Sequence, residues 1–107
     1  MFRELSPRRL KSWLEREPES LFILDVRQPF EAELARIEPS TLIPLDQLHH
    51  HLDTIPTDVR IVCLCHHGMR SAHACTLLAQ AGHTRLYNLT GGIDQWSLTQ
   101  DPSVPRY

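Results

Sequence analysis

At 107 residues, 41% of them hydrophobic, the chain has the length of one domain and enough apolar side chains for a single modest core. Lys+Arg at 11 against Asp+Glu at 13 leaves a formal charge of −2, with no basic excess for nucleic acid and no acidic run for a disordered tail. No apolar stretch is long enough to span a membrane, and Met1-Phe2-Arg3-Glu4 lacks the apolar run of a signal peptide; the odd number of cysteines, 3, suggests free thiols in a reducing cytoplasm rather than a disulfide framework.

Phe2 to Glu4 reads as a short edge strand. Ser6-Pro7 then starts a helix, a capping hydroxyl followed by proline at the first helical position. Leu10, Trp13 and Leu14 recur at helical spacing, and Pro18 closes the segment. Leu21-Phe22-Ile23-Leu24 is a continuous apolar run ending at Asp25, the pattern of a strand covered on both faces in a parallel sheet. Phe30, Leu34 and Ile37 give a short helix its apolar stripe, and Thr41-Leu42-Ile43 reads as a third strand stopped by Pro44. Leu45, Leu48 and Leu52 form another helical stripe. Ile61-Val62-Cys63-Leu64 is the strongest strand. A helix follows from Ser71 to about Ala81, with Ala74, Cys75, Leu77, Leu78 and Ala81 facing the core and Gly82 as its cap. Leu86-Tyr87-Asn88-Leu89 is a fifth strand. Thr90-Gly91-Gly92 opens a last helix carrying Ile93 and Trp96, and the tail from Asp101 to Tyr107, with Pro102 and Pro105, reads as irregular. Strands alternating with helices predict an α/β domain with a mainly parallel sheet, whose ligands bind beyond the carboxyl ends of the strands.

Cys65 and Asp25 both lie at such ends. Cys65 opens the loop Cys65-His66-His67-Gly68-Met69-Arg70-Ser71, between the strongest strand and a helix start. A helix start presents unpaired N–H groups and a partial positive charge, which stabilise a thiolate and hold an anion beside it. Gly68 allows a tight turn and Arg70 adds a permanent cation. The pattern points to a nucleophilic thiolate in an anion-binding cradle.

Three landmarks in order carry a family resemblance over nearly the whole chain. They are Leu24-Asp25-Val26-Arg27 with Pro29 and Glu31, the loop from Cys65 to Ser71, and Gly91-Gly92-Ile93-Asp94-Gln95-Trp96. Together they are similar to the single-domain rhodanese-like sulfurtransferases, with residues 1–107 as one such domain. The resemblance implies a three-layer α/β fold, a five-stranded mainly parallel sheet flanked by helices. It also implies that Cys65 takes a sulfane sulfur as a persulfide and passes it on without a metal or organic cofactor. Many members carry Gly-His-Ile-Pro-Gly before the third strand, where this chain has Ala35-Arg36-Ile37-Glu38-Pro39. That departure bears on the pocket wall rather than the fold.

The expected substrates are a small anionic donor such as thiosulfate, or a persulfide, and a thiol or cyanide acceptor, with a protein sulfur carrier among the candidates. Neither nucleic acid nor membrane is expected as a partner. Backbone N–H groups from His66 to Ser71 are expected to surround the persulfide, with Arg70 drawing in the donor. His66 and His67 either tune Cys65 or touch substrate, or supply backbone donors only, their imidazoles facing solvent. Met69 either rims the pocket or packs. Asp25 and Arg27 are expected to hold the sheet edge by an ion pair or hydrogen bonds. Glu31 either fixes the loop by accepting backbone hydrogen bonds or is solvated. Cys63 and Cys75 read as buried, inert thiols. His49-His50-His51 are adjacent on a helix and so point in different directions, which argues against one metal ion.

Two other functions fit parts of the pattern. One is a non-catalytic binding module of the same fold. The other is a cysteine phosphatase or arsenate reductase, but the tyrosine-phosphatase-like signature has one residue more between Cys and Arg. The shorter loop here suits a sulfur atom better than a tetrahedral phosphate.

Overall fold

The computed structural model describes residues 1–107. Its five strands are β1 (Arg3–Leu5), β2 (Leu21–Asp25), β3 (Thr41–Leu42), β4 (Arg60–Leu64) and β5 (Leu86–Leu89), and its α-helices are α1 (Pro7–Arg16), α2 (Pro29–Leu34), α3 (Met69–Gln80) and α4 (Gly92–Thr99). The strands form one sheet in the order β1-β5-β4-β2-β3, every neighbouring pair parallel. The sheet is thus wholly parallel, and β4 lies at its centre.

Alternation along the central strand builds both faces of the core. Ile61, Cys63 and Cys65 pack on one side with Ala74, Cys75 and Leu78 of α3. Val62 and Leu64 pack on the other with Leu10 of α1 and Ile93 and Trp96 of α4. Cys65 is therefore in phase with Cys63, and its side chain continues the α3 face of the strand. Cys63 and Cys75 are both 0% exposed. The Cys63 thiol is held well above its ordinary range, by its hydrogen bond with Cys75 and then by burial.

The local signals act as read at most element ends. Ser6 Oγ caps α1 by accepting the Arg9 N–H at 3.2 Å. Gly82 ends α3 with the paired bonds Gly82 N to Ala79 O and His83 N to Leu78 O, each 3.0 Å. One expectation is refined and one fails. The segment with Leu45 and Leu48 winds as a 3-10 helix, Leu45–His50, followed by a second, Leu52–Thr54. A spacing of three between leucines suits a three-residue turn as well as an α-turn. In α2 the apolar stripe is not the buried face: Phe30 is 63% and Leu34 51% exposed, while Glu31 and Ala32 face inward. Arg27 sets that orientation, because its buried guanidinium donates to the carbonyls of Glu31 and Ala35 at 3.2 and 2.7 Å. The helix turns its backbone toward a fixed cation, and Phe30 and Leu34 are left outside. No helix is long and apolar enough to cross a membrane.

Candidate active site

The register of β2 beside β4 pairs Asp25 with Leu64, so the loops leaving the two strands emerge side by side. The Val26 N–H donates to Leu64 O at 3.1 Å and continues the ladder past the last pair. Cys65 follows directly. Its residue is 1% exposed, and its Sγ accepts the N–H of Gly68 at 3.0 Å and of Ser71 at 3.4 Å. The expected ring of donors from His66 to Ser71 is thus two backbone groups at the sulfur. Gly68 makes the first of them possible: its φ of +113° is a left-handed conformation closed to most side chains, and it turns the N–H back toward Sγ. Helix α3 starts at Met69, two residues ahead of the expected Ser71, so the positive end of its dipole faces the loop.

A second helix braces the loop from below. The Ile93 N–H donates to Cys65 O at 2.9 Å and the Asp94 N–H to His66 O at 3.2 Å, so the unpaired donors at the start of α4 are satisfied by the loop's own carbonyls. This close approach requires Gly92. A Cβ there would stand 2.5 Å from Cys65 O and 2.4 Å from His66 O, at a φ of +63°.

Ser71 and Asn88 form a buried polar chain behind the sulfur. The Ser71 hydroxyl donates to Asn88 Oδ1 at 2.5 Å, which turns its lone pairs toward Cys65 Sγ at 3.3 Å. Asn88 Nδ2 donates to Gly68 O at 3.1 Å and to the Glu4 carboxylate at 3.2 and 3.3 Å. Asn88 therefore fixes both the loop turn and the serine rotamer. The sequence carries one sign of this: Asn88 is the lone amide in the apolar strand Leu86–Leu89, and a buried amide needs partners.

Asp25 and Arg27 form the expected ion pair, while Glu31 and Arg70 meet in a different arrangement from the expected one. Arg27 is fully buried, with Nη2 and Nε donating to the Asp25 carboxylate at 2.7 and 2.9 Å. Burial opposes its charge, but the Asp25 carboxylate and Tyr107 outweigh it, so its pKa is raised. Glu31 accepts no hydrogen bond from the Cys65 loop backbone. Its two oxygens instead take both arms of the Arg70 guanidinium, at 2.6 and 2.8 Å, together with the Gln28 N–H and the Tyr107 hydroxyl. The Arg70 fork holds the Glu31 carboxyl down at about 2, against the opposing effect of burial. Arg70 is thus committed to Glu31 rather than free to collect a donor, and it ties the loop to α2.

Tyr107 was not legible as a site residue, since it ends a tail read as irregular. Its hydroxyl donates to Glu31 Oε2 at 2.8 Å and accepts from Arg27 Nη1 at 3.0 Å. Burial, first of all, pushes that hydroxyl up to about 12. Its ring stacks on His66, centroids 3.9 Å apart and planes 7° apart, and His66 stacks in turn on His67 at 4.0 Å. The His66 imidazole is accordingly half-buried, whereas His67 and Met69 are exposed, Met69 by 85%. Arg106 anchors the same tail through Asp94, whose carboxyl it lowers. His49 and His50 lie on the 3-10 segment, their rings 3.8 Å apart.

A sulfur anion at Cys65 therefore meets two N–H dipoles and a helix start, in a loop clamped by α2, α4 and β5. The fold has known counterparts. The model of the rhodanese-like domain matches residues 6–99. A protein of Allochromatium vinosum named a sulfurtransferase is 33% identical over 81 residues, 76% of each chain. A probable adenylyltransferase/sulfurtransferase, MoeZ, of Mycobacterium tuberculosis is 32% identical over 105 residues, 96% of this chain and 26% of that protein. The chain thus spans about a quarter of the length of that relative. The crystal structure of a rhodanese-related protein from Thermoplasma volcanium superposes with a TM-score of 0.84 at 30% identity, covering 98% of this chain and 99% of the other.

Proposed function

The chain belongs to the rhodanese-like domain family, and on that premise we propose that it is a sulfurtransferase working through a persulfide on Cys65. The Cys65 sulfur attacks the outer, sulfane sulfur of thiosulfate or of a persulfide. The donor's S–S bond breaks, its electron pair leaves with sulfite or a thiolate, and Cys65 keeps the sulfur. A thiol, a protein sulfur carrier or cyanide then attacks that outer sulfur. The bond to Cys65 Sγ breaks, the electron pair returns to Cys65, and a new persulfide or thiocyanate departs. Gly68 and Ser71 supply N–H groups to the charge on Sγ as it is regenerated, at no cost in reorganisation.

The observation that carries this reading is the position of Cys65 Sγ, within 3.0 Å of the Gly68 N–H and 3.4 Å of the Ser71 N–H at the start of α3. Arg70 acts here as a clamp on the loop through Glu31. The test is Cys65→Ser: sulfur transfer to cyanide and to a thiol should fall to background while the far-ultraviolet circular dichroism stays that of the wild type. Transfer that survives the substitution would remove Cys65 from the mechanism. The 1% exposure of Cys65 is the one observation that favours the other reading, a non-catalytic binding module, and a wild type that moves no sulfur from any donor would bring that forward.

A further inference from the structure

The charges around Cys65 cancel, with one exception. Arg70 is closed by Glu31, Arg27 by Asp25 and Arg106 by Asp94, each through two hydrogen bonds from its guanidinium. The only lysine of the chain, Lys11, lies on α1. Besides the imidazoles of His66 and His67, the local positive end is the start of α3, worth about half a charge. Glu4 is the exception. Its carboxylate accepts from neutral groups, Asn88 Nδ2 at 3.2 Å and Thr90 Oγ1 at 3.0 Å, and it takes part in none of the chain's ion pairs. Glu4 is exposed, and three hydrogen bonds connect it to the sulfur, through Asn88 and Ser71.

Glu4 also lines an open groove of about 440 Å³ along the outer edge of the loop, with His67, Gly68, Met69, Asn88 and Thr90. Gly68 belongs to both the groove and the cradle, since its N–H is the nearest donor to Sγ. A groove of that size takes an organic group, with Met69 as an apolar contact; a small inorganic anion needs no such space.

We infer that Glu4 is a specificity-determining residue, which disfavours dianionic donors and selects organic persulfides of low net charge. The inference rests on the sulfurtransferase reading and narrows its donor. For such a donor the step balances: the Cys65 thiolate takes the terminal sulfur of R–S–SH with its hydrogen, the S–S bond breaks, and its electron pair leaves with RS⁻. For the neutral R–S–SH form the negative charge starts on one thiolate and ends on another, and the ionised form adds one charge where thiosulfate adds two. Thiosulfate would bring two further charges toward a thiolate and an unpaired carboxylate.

The experiment compares initial rates at pH 8 with thiosulfate, a dianion, and with N-acetylcysteamine persulfide, whose organic part is neutral. In the wild type, kcat/KM for thiosulfate should rise as salt increases from about 20 to about 200 mM, because screening relieves repulsion, and should rise more steeply than for the persulfide, which carries at most one charge. Glu4→Gln keeps an acceptor for Asn88 and Thr90 and removes the charge. It should raise kcat/KM for thiosulfate roughly fivefold at low salt and change the persulfide value less than about twofold. The variant is needed because the whole chain, at −2, also repels an anion. A purely structural role for Glu4 would move both donors together. A wild-type thiosulfate rate that falls with salt, or equal changes for the two donors in Glu4→Gln, overturns the inference and leaves the sulfurtransferase reading standing. Failure of every donor to put sulfur on Cys65 overturns both. The salt series needs only the wild type, so a thiosulfate rate that falls with salt overturns the inference even if Glu4→Gln does not fold, and Glu4→Ala then supplies the charge-free comparison.

Discussion

Glu31→Gln removes one charge and one of the two acceptors: the Gln28 N–H donates to Oε1 and the Tyr107 hydroxyl to Oε2, so glutamine's single oxygen keeps one of these bonds and its amide nitrogen replaces the other acceptor. Its effect can be worked from the structure. The Arg70 fork holds the Glu31 carboxyl at about 2, against roughly 4.3 for an ordinary glutamate. At about 1.4 kcal/mol per unit, the difference is worth roughly 3 kcal/mol. The Arg70 side chain is 36% exposed, so solvent screens the pair and about 2 kcal/mol is the better figure. The carboxyl is depressed in the folded state. Its contribution is therefore complete above the unfolded value near 4.3 and is lost as pH falls from there toward about 2. Urea denaturation of wild type and variant at pH 7 and pH 3 reads this directly, since every other carboxyl titrates alike in both. The variant should be less stable by about 2 kcal/mol at pH 7 and by less than about 1 kcal/mol at pH 3. An equal gap at both values would mean that hydrogen-bond geometry, not charge, holds the loop to α2. No gap at pH 7 would mean that the Arg70–Glu31 pair does not hold it at all.

Gly92→Ala should cost more than about 2 kcal/mol in thermal or urea unfolding, because its Cβ would meet Cys65 O and His66 O at 2.5 and 2.4 Å in a left-handed conformation; sulfur transfer should fall with it as the loop moves. A Gly92→Ala protein of wild-type stability and rate would show that α4 does not set the loop. Tyr107→Phe removes the hydroxyl shared by Arg27 and Glu31 while keeping the stack on His66, and should cost about 1–2 kcal/mol in the same unfolding assay. An unchanged midpoint would detach the tail from the site's support.

The fold was open to reading because its signals are local. Continuous apolar runs marked β2 and β4 as strands covered on both faces, and Ser6, Gly82 and the Gly91-Gly92 pair marked helix ends. The reactive-cysteine loop was equally open, since strand, glycine, arginine and helix follow one another without interruption. What stayed hidden depends on partners far apart in the chain. The inward face of α2 is chosen by Arg27, and no periodicity within residues 29–37 reports a cation bound beyond them. Arg70 looked like a free anion-binding group because its partner Glu31 stands 39 residues away. Tyr107 reaches Glu31 across 76 residues from a segment with no regular structure, where composition carries no sign of a contact. Glu4 is ordinary in sequence and notable only for having no cation opposite it.

The most direct test is the mass of the intact protein after incubation with a sulfane sulfur donor and removal of the excess, followed by peptide mapping. Wild type should gain a single sulfur atom, located on Cys65, and lose it on addition of cyanide or a thiol; Cys65→Ser should gain none. A sulfur found on Cys63 or Cys75, or a wild type that stays at its starting mass with every donor, would contradict a Cys65 persulfide as the carrier.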